Sequence, residues 1–403
     1  MRMKFKQISR FVIFFSIAGI IFSSCERSDE PEPIFENTYL VSLEEIDVVT
    51  AWQVRAATSL FEFEDLNKYI ISDAHMYRMV YNTTYNGEAV QASGVIGIPS
   101  ENDVPMAIAS LQHGTSIKKT DAPSESLADS FILSAVATTG MVTLIPDFLG
   151  FGASEHKFHP YYIEEGEAIP VVDMIHATME LMEDSSLIWN EKLYLSGYSE
   201  GGYVTMAAHK YIQEHPEEGL SVTASAPAAG GYDLMHMKDY FFKQETYNQP
   251  FYMAYVISAY KTWYNWTEPL STFFQEPYDS KIPGLLDGSK SRGEINNELT
   301  KDVGAFLQHD MVNNFDSDVK YAEFKQALVD NSLLDWVPKA PVRMYHGTED
   351  ITIPFSNSEA TFKRLKENGA GDNLQFIAIE GGDHSSGFLP MFKDATLWIL
   401  EMN

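Results

Sequence analysis

Hydrophobic and polar positions alternate along residues 76–85 and again along 90–98, with Asn86-Gly87 between the two runs. A period of two predicts half-buried strands, and Asn-Gly tolerates positive φ, so together they predict a tight hairpin. Downstream the pattern changes to short, continuous apolar runs at 106–111, 141–145, 193–196, 222–226, 342–345 and 374–379. Runs of that length suit strands covered on both faces. Between them, residues 127–138, 170–183 and 203–214 predict helices, with Pro170 in the first turn of its helix. Residues 388–400 predict a closing helix, and residues 35–70 an N-terminal arm with one amphipathic helix over 43–56. Strands alternating with helices predict an α/β fold with a mostly parallel, doubly wound sheet opened by an antiparallel hairpin.

The rhythm breaks between Gly231 and Lys339, where no strand pattern appears. Residues 233–278 hold 14 aromatics in 46 positions, including Trp263, Tyr264 and Trp266. This predicts a mainly helical cap inserted over the active edge of the sheet. Most of these rings are expected to form the cap's own core, and a few to line an apolar cleft. The expected organisation is a signal segment (1–25), a tether and N-terminal arm (26–72), a first core part (73–231), the cap (232–339) and a second core part (340–403).

Charge narrows the partners. Arg2, Lys4, Lys6 and Arg10 give the first 25 residues +4, so a net charge of −29 leaves −33 on the rest. A surface that acidic repels nucleic acid and anionic lipid, which argues against nucleic-acid binding. The basic start is followed by an apolar run over 11–22 and then Ser23-Ser24-Cys25, an export-signal pattern too short for a comfortable membrane span. Cys25 is the only cysteine, which excludes an internal disulfide. The segment resembles a bacterial lipoprotein signal with Cys25 as the lipidated residue and Phe22 in place of the usual Leu. The acidic stretch from Glu26 to Glu30 is similar to surface-export signals of Bacteroidetes lipoproteins. The expected location is therefore a bacterial cell envelope, with a lipid anchor at the outer membrane.

The chemistry is carried by Gly197-Tyr198-Ser199-Glu200-Gly201-Gly202, which follows an apolar strand and opens a helix. In that context Gly-x-Ser-x-Gly predicts a nucleophile elbow, a turn too sharp for side chains at Gly197 and Gly201. A serine nucleophile needs a base and an orienting acid, which follow it here as acid and then His. Asp350 leaves the strand over 342–345, and His384 follows Gly381-Gly382 after the strand over 374–379. Both sit at carboxyl ends of strands, the edge that must hold Ser199. Glu349 and Asp383 are rivals expected to point elsewhere, Asp147 to organise its loop, and His176 and His209 to pack within helices. The oxyanion is expected to face the amides of Glu200 and Thr115, with Gly114 permitting the bend and His113 structural. No metal or dinucleotide motif is present, so no metal or cofactor is expected.

The motifs Gln112-His113-Gly114-Thr115, Pro146-Asp147-Phe148-Leu149-Gly150-Phe151-Gly152, Gly197-Tyr198-Ser199-Glu200-Gly201-Gly202 and His346-Gly347-Thr348-Glu349-Asp350 resemble the α/β-hydrolase superfamily, and within it the secretory lipase group. The resemblance covers residues 75–402 and implies a cofactor-free Ser199–Asp350–His384 esterase or lipase with an inserted lid. Its best-known members carry disulfides, which this chain cannot form internally, so a long-chain lipid preference is not carried over. The expected substrate is a small-molecule ester with an apolar acyl or aromatic part. A serine peptidase on the same fold and a non-catalytic binding module are the competing readings.

Overall fold

The computed structural model describes residues 38–403 apart from 102 and 127–130. The expected signal segment, Cys25 and the beginning of the tether lie outside the described residues. Among the described residues nine strands form one sheet in the order β1-β2-β3-β5-β4-β6-β7-β8-β9. They are β1 (Leu40–Val49), β2 (Ala74–Tyr85), β3 (Glu88–Pro99), β4 (Met106–Gln112), β5 (Val142–Pro146), β6 (Trp189–Tyr198), β7 (Ala224–Ala228), β8 (Val342–Gly347) and β9 (Leu374–Ile379). Pairing is antiparallel from β1 to β5 and parallel from β5 to β9.

The β2–β3 hairpin closes through Asn86 (φ 49°) and Gly87 (φ 78°), with Tyr85 opposite Glu88. Two consecutive positive φ values match the right-handed twist of the flanking strands, which is why Asn-Gly occupies the turn. The helix expected over 43–56 starts later and runs further. Residues 40–49 form β1 against β2, and helix α1 spans Ala51–Leu60. The register of β1 slips between Leu40 and Ser42 and again between Glu45 and Asp47. Each slip leaves one extra residue, so apolar side chains recur at Leu40, Leu43 and Ile46 and imitate a helical period.

β4 is buried at every position, as a central parallel strand requires. Met106 and Ile108 pack into the core that holds α3 (Glu164–Asp184) and α4 (Glu200–Glu214). Ala107, Ala109 and Leu111 face the opposite core, with α1, the short α2 (Phe131–Ser134) and the C-terminal helix. The helix expected over 127–138 is thus α2 followed by a 3-10 turn at Ala135–Thr139. Pro170 lies inside α3 rather than in its first turn. The helix begins earlier because Glu164 and Glu165 favour its positive end; the lost Pro170 amide removes a single bond, to Gly166.

After β7 the chain forms seven helices: α5 (Leu234–Phe242), α6 (Phe251–Trp263), α7 (Tyr278–Leu285), α8 (Arg292–Glu298), α9 (Val303–Phe306), α10 (His309–Asn314) and α11 (Ala322–Asp330). Their aromatics pack on one another, as in the Phe315–Phe324 and Trp266–Phe324 edge contacts. The insertion leaves the sheet at Tyr232 and returns at Leu333, whose amide donates to the Tyr232 carbonyl at 2.8 Å. Helices α12 (Phe355–Glu367) and α13 (Phe388–Met402) complete the fold. Asn357 of α12 accepts from the Tyr232 amide at 2.9 Å and donates to the Asp233 carbonyl at 2.7 Å.

Candidate active site

The sheet reverses its winding at β4, which lies between β5 and β6, and clefts form outside the carboxyl ends at such a point. β6 ends at Tyr198 and α4 begins at Glu200, so Ser199 alone makes the turn, at φ 62° and ψ −125°. Positive φ at a non-glycine residue is a strained state held by its surroundings. Here the Ser199 amide donates to the Ala228 carbonyl at 2.9 Å. A Cβ on Gly197 would stand 2.2 Å from the Gly201 carbonyl oxygen, and one on Gly201 only 2.1 Å from that of Gln112. Both positions therefore admit nothing larger than glycine.

Ser199 Oγ lies 2.8 Å from His384 Nε2, and His384 Nδ1 lies 2.6 Å from Asp350 Oδ2. Asp350 is buried, and its Oδ1 accepts from the amides of Thr352 (2.9 Å) and Ile353 (3.1 Å). His346 Nε2 approaches Oδ2 at 3.2 Å, while its Nδ1 pairs with Ser358 Oγ at 2.6 Å. Burial pushes the Asp350 carboxyl up, but the hydrogen bonds from His346 and His384 outweigh it and hold it down at about 2. An ionised Asp350 keeps the proton on His384 Nδ1 and leaves Nε2 free to accept from Ser199. The loops carrying Asp350 and His384 touch at Gly347, where a Cβ would stand 2.3 Å from the Gly382 carbonyl oxygen.

The rival carboxylates sit elsewhere. Glu349 is exposed. Asp383 accepts from the amides of Ser385 (3.0 Å) and Ser386 (2.7 Å), capping its own loop. Asp147 accepts from Ser93 Oγ at 2.6 Å and from the Ser124 amide at 2.8 Å, which ties two loops together. His176 pairs with Glu218, and buried His209 with Ser225.

The loop after β4 passes over the elbow. A Cβ on Gly114 would lie 3.8 Å from Ser199 Cβ. The neighbouring Thr115 hydroxyl is 3.1 Å from the Tyr161 hydroxyl. The amide of Glu200 is the first of α4 and has no acceptor within its own helix. His113 stacks on Phe148 at 4.2 Å, and burial pushes its pKa down, as suits a packing role.

An apolar cavity opens beside Ser199, lined by Tyr161 and Tyr162 from the core and by Phe241, Tyr252 and Ile257 from the insertion. Behind the elbow, Glu200, His159 and Glu167 meet in a fully buried cluster. Neither His159 nor Glu167 is visible as a site residue in sequence, because 41 positions separate His159 from Glu200. His346 carried a signal, its i, i+4 spacing to Asp350.

Solved structures share this architecture. A putative hydrolase of Legionella pneumophila superimposes with a TM-score of 0.81 at 25% identity, covering 90% of this chain and 98% of that one. The fold is that of the α/β-hydrolases. The rice cell wall degrading esterase LipA of Xanthomonas oryzae matches this α/β-hydrolase with a TM-score of 0.77 at 22% identity, over 91% of this chain and 98% of its own. Candida antarctica lipase A in its closed state gives 0.65 at 16% identity, over 89% and 83%. Residues 128–273 match the prolyl oligopeptidase family. A probable isoprenylcysteine alpha-carbonyl methylesterase of rice is 24% identical over 207 residues, 49% of this chain but only 35% of that relative. These matches place the α/β-hydrolase among hydrolases and give it a likeness to esterases and lipases.

Proposed function

We propose that this chain is a serine carboxylic ester hydrolase. The observation that carries the reading is the unbroken line Ser199 Oγ–His384 Nε2, 2.8 Å, and His384 Nδ1–Asp350 Oδ2, 2.6 Å, at a strained elbow. In this reading His384 takes the Ser199 proton as Oγ attacks the ester carbonyl. Asp350 stays ionised and stabilises the imidazolium. The amides of Glu200 and Thr115 receive the oxyanion. His384 then protonates the departing alcohol, leaving an acyl-Ser199, and finally activates the water that releases the acid.

The aromatic and aliphatic cavity supports an ester with an apolar acyl or aromatic part as substrate. The likeness to an esterase and a lipase supports ester over amide chemistry. The expected lipidation of Cys25 would tether the enzyme to the bacterial envelope by its N-terminal segment.

The test is hydrolysis of p-nitrophenyl esters from acetate to palmitate by the wild type and by Ser199→Ala. Turnover by the wild type alone supports the reading; equal turnover by Ser199→Ala sinks it. A serine peptidase is the second reading, favoured by the prolyl oligopeptidase match over 128–273. Faster turnover of aminoacyl anilides than of esters would select it.

A further inference from the structure

Glu200 follows Ser199 directly, and its side chain is fully buried. His159, also buried, places Nε2 2.5 Å from Glu200 Oε1 and Nδ1 2.7 Å from the Leu149 carbonyl oxygen. Nδ1 faces a carbonyl oxygen, which can only accept, and Nε2 a carboxyl oxygen, so with Glu200 as the carboxylate both ring nitrogens would donate. Glu167 closes the cluster, with Oε1 3.8 Å from His159 Nε2 and accepting from the Tyr162 amide at 2.8 Å. Burial, and next the Glu200 charge, push the Glu167 carboxyl well up. An imidazolium beside a Glu200 carboxylate, with Glu167 holding its proton, would sum to zero, as a dry site demands.

A divalent cation would balance the two carboxylates equally well. Ligand atoms held at about 2.0–2.1 Å around one tetrahedral ion stand about 3 Å apart, however. The 2.5 Å between His159 Nε2 and Glu200 Oε1 is a direct hydrogen-bond contact, closer than two ligands of one ion stand.

Position gives this pair a consequence. The Glu200 amide is the proposed oxyanion donor, and a bare carboxylate on the same residue would oppose the negative charge that develops there. The phenol of Tyr161, which lines the cavity, is pushed up chiefly by burial, then by Tyr162 and then by Glu200.

We propose that His159 is a positioning residue for hydrolysis: its imidazolium cancels the Glu200 carboxylate and fixes the residue whose amide receives the oxyanion. This inference rests on the ester hydrolase reading above.

The test compares the full chain with H159Q and with H159Q/E200Q on p-nitrophenyl butyrate. In H159Q kcat is expected to fall on the order of tenfold to a hundredfold, with KM changed by less than about threefold. Removing the orphaned carboxylate in H159Q/E200Q is expected to restore most of that loss. A kcat for H159Q within about threefold of wild type, or a double variant no better than H159Q, overturns the proposal. Should H159Q fail to fold, nitrogen NMR of histidine-labelled wild type decides: both His159 ring nitrogens are expected to carry protons, and a neutral ring overturns it. One equivalent of divalent metal in the purified protein, with activity lost in E167Q, also overturns it. Wild type inactive on every ester would instead defeat the ester reading, while the NMR state of His159 would still report on the ring charge.

Discussion

Replacing Asp350 with Asn keeps the side chain's size and removes its charge. In the native fold that carboxylate accepts from the Thr352 and Ile353 amides, His384 and His346. Burial opposes the charge, but the two histidine hydrogen bonds more than offset it, holding the pKa at about 2 against an ordinary 3.8. At about 1.4 kcal/mol per tenfold of proton affinity, the charged form contributes about 2 kcal/mol to folding. The folded pKa lies below the unfolded one, so this contribution is complete above about pH 4 and is lost as pH falls toward about 2. Urea unfolding of both proteins between pH 7 and pH 3, followed by tryptophan fluorescence, measures it. The stability gap is expected to narrow by about 1 kcal/mol on reaching pH 3. Activity should fall on the order of 10⁴-fold, because Asn cannot hold His384 in the tautomer that accepts from Ser199. Stability gaps that stay constant down to pH 3, or a loss of kcat below about tenfold, would refute the reasoning.

Gly201→Ala puts a Cβ 2.1 Å from the Gln112 carbonyl oxygen, backbone that cannot step aside, and is expected to cost about 3 kcal/mol or more; an unchanged Tm by calorimetry would contradict it. Val256 lines the cavity on α6, so Val256→Trp should lower kcat/KM for octanoate by about tenfold or more while leaving acetate within about threefold, and an equal effect on both esters would argue that the acyl chain lies elsewhere. His209 is pushed down to about 3 by burial, so its native ring stays neutral while the unfolded ring takes a proton below its ordinary 6.5. Acidification from pH 6.5 toward 3 therefore removes about 1.4 kcal/mol per pH unit through this residue; the stability–pH slope of His209→Gln should be shallower by that amount, and identical slopes would disprove it. Cys25→Ser should shift the protein from the membrane to the soluble fraction on fractionation of the producing cells, and continued membrane retention would remove the lipid-anchor reading.

What the sequence discloses is what is encoded locally. The hairpin at Asn86-Gly87, the buried run of β4 and the glycines around Ser199 each impose their structure within a few residues, and each is legible. β1 is not, because its two slips turn a strand's period of two into a spacing of three. α12 is absent from the predicted elements for another reason: its buried face includes Asn357, Ser358 and Thr361, so no apolar stripe marks it. Those polar residues are there because the helix serves the site, Ser358 meeting His346 and Asn357 the root of the insertion. The pairing of Glu200 with His159 is legible only in three dimensions, since a helix-opening glutamate ordinarily reads as a solvated residue favouring the positive end of its helix.

The hydrogen bond between Leu333 and Tyr232 has an evolutionary consequence. It brings together the two ends of a segment of about a hundred residues, so the sheet sees that segment as little more than a turn. The parts distal to the stem that make no bond to the core are free to lengthen, shorten or be exchanged without altering the register of β7 and β8. The elements that would have to persist are the bonded stem, the Asn357 side chain that grips it, and a few ties to the core, such as Tyr260 donating to the Tyr162 carbonyl and Asn86 to that of Trp263. A lineage holding this scaffold would thus diversify its substrates by remodelling one detachable module, while the strand ends bearing Ser199, Asp350 and His384 stay fixed.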